Sequence, residues 1–334
     1  MDLNTLLKHT SRSLYLSARI LPKTVRPAFG VAYLLCRYAD TIADTSILPA
    51  DRRLHWITRF PTLIEKQPQE EMGALAQEIR GGSDNPYEKI LIENLPACLD
   101  AFNQLPDEQK RFVKDVAAAV CDGMEIDLSF FPSGNAAPKP FEKATDLTHY
   151  CRLMGGCPGK FWSQLIASSS RVQIDEKTFL TLGTHIGDAE QIVNILRDLP
   201  KDLRIGRCYF PLDDLRPTGL RPSDLLVPQN SPRFEPVKQK WLNWGIKNLQ
   251  DAYPFLRAIP KTNLWQRAAV AWPVLWAADT LVKISQTPDL LNPDKRVKIS
   301  RATIYATMLL TPLVWVSNRF FNKWLNHKIR KISG

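Results

Sequence analysis

Apolar residues recur three and four positions apart through almost every segment of this chain, and strict two-residue alternation is nearly absent. That spacing draws one apolar stripe along a helix and supplies no half-buried strands. The chain is therefore confined to helix-on-helix packing. The pattern runs through SLYLSARILP and RPAFGVAYLLCRYADTIADT, then PYEKILIENLPACLDAFNQL and EQKRFVKDVAAAVCDGMEIDL, then DLTHYCRLMGGCPGKFWSQLIASSS and THIGDAEQIVNILRDLP. Asp146 and Thr184 stand before two of these runs and read as N-caps. The 25 prolines gather between runs, in LPKTVRP, FFPSGNAAPKP, QTPDLLNPDK and the stretch 210–236. Helices on both sides of 210–236 carry polar motifs that must meet, so this stretch reads as a surface excursion of a single domain. With 334 residues, 44% of them apolar, the chain is long enough to bury one large core.

Several function classes drop out. The six cysteines show no CxxC pair and no zinc spacing, and several sit inside apolar runs. They read as buried thiols in a reducing compartment. The opening MDLNTLLKHTSRS lacks the basic-then-apolar start of a signal peptide. GGCPGK at 155–160 fails as a phosphate loop, which needs Gly at Met154 and Ser or Thr at Phe161. GxGxxG, HExxH and GxSxG are all missing, and the five histidines are scattered.

The net charge of +10 points to anionic small substrates or an acidic membrane surface. Nucleic acid is excluded as a partner, because no dense basic run or aromatic-basic motif is present. The tail SNRFFNKWLNHKIRKISG, residues 317–334, mixes Phe320, Phe321, Trp324, Leu325 and Ile329 with Arg319, Lys323, Lys328, Arg330 and Lys331. It suits an interfacial helix on an anionic membrane, or else a basic, partly frayed helix end. The resulting expectation is a cytoplasmic protein in peripheral membrane contact. Residues 302–316 are apolar but contain Pro312 and are shorter than the roughly 20 residues of a span, so they read as a buried terminal helix.

Two acidic motifs about 150 residues apart carry the chemistry: Asp40 with Asp44 in YADTIAD, and Asp198 with Asp202 in ILRDLPKD. Carboxylates four apart share one helical face. Four carboxylates at the rim of an apolar core need cations to neutralise them. A hard divalent ion such as Mg²⁺ meets that need and can bridge to a diphosphate. Arg37 shares the first face and can pair with the carboxylates or reach a phosphate. Gly187, Gln191, Asn194, Asp198 and Asp202 align on the second face, with Arg197 adjacent and Arg207 following after a turn. Pro200, between the two aspartates, is expected to distort or end that helix. Ser11, Arg12 and Ser13 place hydroxyls and a guanidinium at a helix start, which favours an anion.

Together TSRSLY, YLLCRYADTIAD, HYCRLMGGCPG, GDAEQIVNILRDLPKD, GRCYFP and RVKISR resemble the motifs of the squalene/phytoene synthase family, in family order. The resemblance implies an all-α, isoprenoid synthase-type helical bundle with a central apolar cavity over residues 1–316, followed by the tail. It implies Mg²⁺, with Mn²⁺ as a substitute, held by Asp40, Asp44, Asn194, Asp198 and Asp202. It implies diphosphate contacts from Arg12, Ser13, Arg37, Gln191, Arg197 and Arg207, and a part for Tyr150 in the first half-reaction. Gly155, Gly156 and Gly159 would let an isoprenoid chain lie against their helix, or else serve close helix packing.

Thr41, where phytoene-type members carry a second Asp, and the RVKISR stretch are more similar to the squalene synthases of the family. That likeness implies head-to-head condensation of two farnesyl diphosphates to presqualene diphosphate, then reduction to squalene by NADPH, with Lys298 and Arg301 as nucleotide contacts. The alternatives are a phytoene- or dehydrosqualene-type synthase without reduction, a chain-elongating enzyme, disfavoured by NILRD and GRCYFP, and a non-catalytic relative acting in assembly.

Overall fold

The computed structural model describes residues 3–10, 14–80, 86–131 and 137–332. Helices dominate it, and the chain gathers into two compact units, Met1–Phe130 with Gln164–Ser169 and Phe131–Ser163 with Ser170–Gly334. Unit 1 contains α1 (Leu3–Thr10), α2 (Leu14–Arg19), α3 (Arg26–Asp44), α4 (Ala50–Lys66), α5 (Gln69–Glu78), α6 (Pro86–Glu93), α7 (Leu95–Asn103) and α8 (Asp107–Phe130). In unit 2, α9 (Ala144–Cys151) leads through a π-helical turn, Arg152–Gly156, into α10 (Cys157–Ser169), whose last residues group with unit 1. Unit 2 continues with α11 (Glu176–Arg204), α12 (Leu212–Leu215), α13 (Ser231–Leu249), α14 (Ala252–Ala258), α15 (Leu264–Ser285), α16 (Arg301–Leu309), α17 (Thr311–Val316) and α18 (Asn318–Arg330).

In unit 1, α3 packs on α4, α7 and α8. Pro27 opens it, where a missing N–H costs nothing. Its apolar stripe buries Phe29, Leu34, Leu35, Tyr38 and Ile42, and Tyr38 stacks on Phe60 at 5.4 Å. In unit 2, α11 lies against the π turn, α13, α14 and α15. Gly155 and Gly159 face Gly187 and Gly183 across the crossing: a Cβ on Gly155 would lie 2.2 Å from the Gly187 carbonyl oxygen, and one on Gly159 2.2 Å from that of Gly183. These glycines therefore serve close backbone approach between helices, the second of the two readings their sequence allowed. β1 (Lys139–Pro140) and β2 (Arg207–Cys208) form one short parallel pair.

Several expectations are revised. The N-cap of α11 is Asp175, whose side chain accepts from the Thr178 amide at 2.9 Å; Thr184 lies inside the helix and donates to the Leu180 carbonyl. The apolar spacing simply extends one more turn and a half upstream through FLTLG. Asp146 sits in the first turn of α9, accepting from the Lys143 amide at 2.9 Å. Pro200 does not end α11, which continues to Arg204. So near the helix end proline forfeits a single amide bond, and the apolar anchors Leu199 and Leu203 hold the last turn in place.

Residues 302–316 are not a buried helix. They form the short helices α16 and α17, of which only Thr307, Thr311 and Val314 are buried. Among the described residues no helix is long and apolar enough to cross a membrane. The tail is helical, and its apolar stripe, Phe321, Leu325 and Ile329, is turned into unit 2, where α18 packs on α14, α15 and α17.

Arg267 ties this corner together. It is fully buried and donates to the carbonyls of Leu256 (2.8 Å), Ile259 (3.0 Å) and Val314 (3.1 Å) and to the Asn318 side chain. Burial draws its pKa down to about 10. It pairs with no acidic side chain among the described residues; carbonyls at the ends of α14 and α17, the negative ends of their dipoles, offset its charge. Arg267→Met strands these acceptors and should cost about 3 kcal/mol, as removal of one partner of a buried charged network does. A urea titration followed by circular dichroism reads the loss, and an unchanged midpoint would refute the role.

Candidate active site

The first carboxylate pair stands at the polar edge of α3. Arg37 is ion-paired with Asp40 one turn on and with Glu88 of α6. Asp40 is partly exposed and Asp44, at the last residue of the helix, is exposed. Thr41 points the other way: it is buried and donates to the Arg37 carbonyl at 2.9 Å. Position 41 thus belongs to the packing face of α3 and not to the carboxylate face.

The second set lies along α11. Gly187 is buried in the helix crossing, Gln191, Asp198 and Asp202 are half-buried, and Asn194 is exposed. The Asn194 amide donates to Gln191 Oε1 at 3.4 Å. Arg197 clasps Asp198 with both nitrogens of its fork, Nε at 2.9 Å and Nη2 at 2.6 Å. That hydrogen bond, the largest influence, raises the guanidinium pKa despite burial. Arg207 follows Gly206, whose φ of +85° makes the turn that only glycine adopts without strain, and β2 then fixes its register against Lys139. Arg12 and Ser13 lie outside the described residues. Lys298 and Arg301 are exposed, on either side of Ser300, whose hydroxyl caps α16.

Tyr150 is buried at the end of α9. Its hydroxyl lies 3.3 Å from that of Tyr209, the rings stack at 4.7 Å, and Phe131 and Phe141 complete an aromatic cluster. Sequence reading passed over Tyr209, although GRCYFP carried it two residues beyond Arg207. It also missed Asp188. This carboxylate is 1% exposed and takes a two-pronged ion pair from Arg152, Nη2 to Oδ2 at 2.7 Å. Burial pushes the Asp188 carboxyl up, against the downward pull of Arg152. Gly156 leaves the room: a Cβ there would lie 2.2 Å from Asp188 Oδ1. Asp188 sits one position off the face that Gly187 marks, so helical spacing alone could not select it.

The donor set can be matched to an ion. No group of three or more His, Cys, Asp or Glu side chains converges among the described residues. Each motif instead offers two carboxylates one helical turn apart, oxygen donors only, with Asn194 adding a neutral oxygen to the second. Mg²⁺ is commonly held by one or two carboxylates together with water and substrate phosphates. The residues present fit that mode, and Arg37 and Arg197 are ion-paired beside them with Asp40 and Asp198.

The fold is that of the all-α, squalene synthase-like isoprenoid synthases. The solved structure of TcSQS in complex with the ligand E5700 shares that fold, with a TM-score of 0.77 at 17% identity over 99% of this chain and 96% of the other. A family profile described as squalene/phytoene synthase matches residues 7–303, and the chain belongs to that family. A bifunctional lycopene cyclase/phytoene synthase of Podospora anserina is 25% identical over 311 residues, which are 91% of this chain and 49% of the relative. A squalene synthase of Schizosaccharomyces pombe is 23% identical over 297 residues, 89% of this chain and 62% of the relative. The chain thus spans about half the length of the first relative and under two thirds of the second.

Proposed function

We propose that the chain condenses two farnesyl diphosphates head to head to presqualene diphosphate and reduces this to squalene with NADPH. The observation that carries the reading is the intact pair of carboxylate motifs, each still one helical turn apart on a polar helix edge, in a member of this family. Asp40, Asp44, Asn194, Asp198 and Asp202 would hold Mg²⁺, or Mn²⁺ in its place. Bound there, the ion supplies the charge neutralisation that makes diphosphate a leaving group. Arg37, Arg197 and Arg207 share the phosphate charge where it develops, and Gln191 and Asn194 orient the oxygens. The allylic cation left behind needs apolar walls that exclude water. The second prenyl double bond attacks it, and loss of a proton closes the cyclopropane. Tyr150, its hydroxyl held beside that of Tyr209, is placed to steer that proton.

For the nucleotide, Lys298 and Arg301 are exposed cations with no ion pair among the described residues, which suits phosphate contact. NADPH would supply the hydride that quenches the cation left when the second diphosphate departs, giving squalene and NADP⁺. The reductive reading rests on the likeness of Thr41 and of RVKISR to the squalene synthases of the family; the Thr41 side chain itself is buried in α3. The phytoene- or dehydrosqualene-type synthase is the second reading, favoured by the likeness to the Podospora anserina protein.

Incubation of the full chain with farnesyl diphosphate and Mg²⁺ separates them. Squalene is expected with NADPH, and presqualene diphosphate or unreduced hydrocarbon without it. Lys298→Ala should lower squalene formation several-fold and let presqualene diphosphate build up at limiting NADPH. An identical product mixture with and without NADPH would replace the squalene reading with the phytoene-type one.

A further inference from the structure

We propose that the outward face of α16 and α17 is a docking surface for an anionic phospholipid bilayer. The two helices bury little of their apolar surface. Of their inward residues Thr307, Thr311 and Val314 are buried; Thr307 donates to the Thr303 carbonyl at 2.9 Å and Thr311 to that of Thr307 at 3.2 Å, and the indole N–H of Trp272 donates to the Thr311 hydroxyl at 2.7 Å. Their outward side is apolar: Tyr305 is 64% exposed, Leu309 80%, Leu313 42% and Val316 67%, with Leu310 at the bend between the helices. Trp265 of α15, 54% exposed, extends this face through an edge-to-face contact with Trp315 at 5.2 Å. A helix that hides threonines and shows leucines has its apolar stripe turned toward something other than its own core. The mix of Leu, Val, Tyr and Trp is that of side chains that settle at the headgroup and acyl boundary.

Charge names the occupant. Residues 295–334 contain nine Lys and Arg and no Asp or Glu, in a chain whose net charge is +10. Only Lys295 and Lys328 of these are ion-paired among the described residues, with Asp289 and Asp279. Arg319 and Lys323 begin α18, which packs directly on α17, and both are exposed. An apolar wedge beside unneutralised cations matches an anionic lipid surface, where each nearby Lys or Arg adds attraction within a Debye length. The tail contributes this charge but not its apolar stripe, since Phe321, Leu325 and Ile329 are buried. The wedge lies one helix upstream of the segment whose composition suggested it.

Vesicle flotation of the full chain tests the proposal. Wild-type protein is expected to float with phosphatidylcholine–phosphatidylglycerol vesicles at low salt and to bind pure phosphatidylcholine far more weakly. L309D/L313D should reduce binding to anionic vesicles more than tenfold, and R319E/K323E should weaken it and flatten its salt dependence. Thermal melting of all three proteins should coincide, because the replaced side chains are exposed; a variant that melts early is replaced by Leu309→Ser alone. Wild-type protein that stays with the soluble fraction, or an L309D/L313D variant that floats like wild type, overturns the proposal. So does a sedimentation experiment in which L309D/L313D splits a wild-type dimer while neither protein binds vesicles, which assigns the face to a second copy of the chain. The readout is lipid binding, so its failure leaves the condensation reading standing.

Discussion

Asp198→Ala should lower turnover by about a thousandfold, the scale on which loss of one group that stabilises developing charge is felt, while leaving the helical circular dichroism and the melting temperature of the chain unchanged. The asymmetry follows from where the carboxylate sits. Its side chain is 43% exposed and ion-paired with the neighbouring Arg197. An exposed pair of this kind contributes roughly 0–1 kcal/mol to stability. Nothing in the core depends on it, so the proposed metal role can be removed without removing packing. Asp40→Ala should behave alike, since Arg37 retains Glu88 when Asp40 is gone. Asp213→Ala removes another exposed, Arg-paired carboxylate, on α12 and outside both motifs, and should leave turnover intact. Near-normal activity of the Asp198 variant would remove the second motif from the site.

Gly187→Ala is expected to be the most damaging single methyl in unit 2. The new Cβ would fall 2.0 Å from the Gly155 carbonyl oxygen and 2.7 Å from its carbon, both backbone atoms of a helix that cannot step aside without breaking the crossing. Overpacking of a tight contact costs about 1–3 kcal/mol and more when backbone must move, so a loss of at least about 3 kcal/mol is expected on that scale. Gly73→Ala is the matched opposite. Gly73 is exposed in α5 and its Cβ would meet nothing within 4 Å, so the same substitution should stabilise by about 0.5–1 kcal/mol through helix propensity and a less flexible unfolded chain. Paired urea titrations decide it. A Gly187→Ala midpoint equal to that of wild type would refute the tight helix crossing, and a lowered Gly73→Ala midpoint would refute the propensity argument.

What could be read from the chain directly was whatever depends on short-range periodicity. Apolar spacing of three and four specified helices and excluded sheets, because the helical repeat is a local property of backbone geometry. The same arithmetic put Asp40 with Asp44 and Asn194 with Asp198 and Asp202 on shared faces, and α3 and α11 do carry them so. Pro200 misled because its penalty is local while the last turn of α11 is held by Leu199 and Leu203, buried through contacts that no local rule weighs. Thr41, adjacent to Asp40 in sequence, turns away from the carboxylate face into the core, because successive helical residues lie about 100° apart.

Other features depend on which surfaces meet. Gly155 and Gly159 have equal claims in sequence as a ligand groove or a helix crossing, and only Gly183 and Gly187 arriving opposite them decides for the crossing. Tyr150 and Tyr209 lie far apart in the chain, and their hydroxyls come within 3.3 Å because the β1–β2 pair brings the end of GRCYFP back to α9. Two segments, 302–316 with 11 apolar residues of 15 and the tail with 6 of 18, exchanged their expected places: the tail's stripe is buried and much of the richer segment's apolar surface is exposed. Composition states how much apolar surface a segment owns, and periodicity states on which side of a helix it lies. Which apolar face the core then covers depends on the partners that competing helices offer, a nonlocal free-energy balance that exists only once the chain has folded.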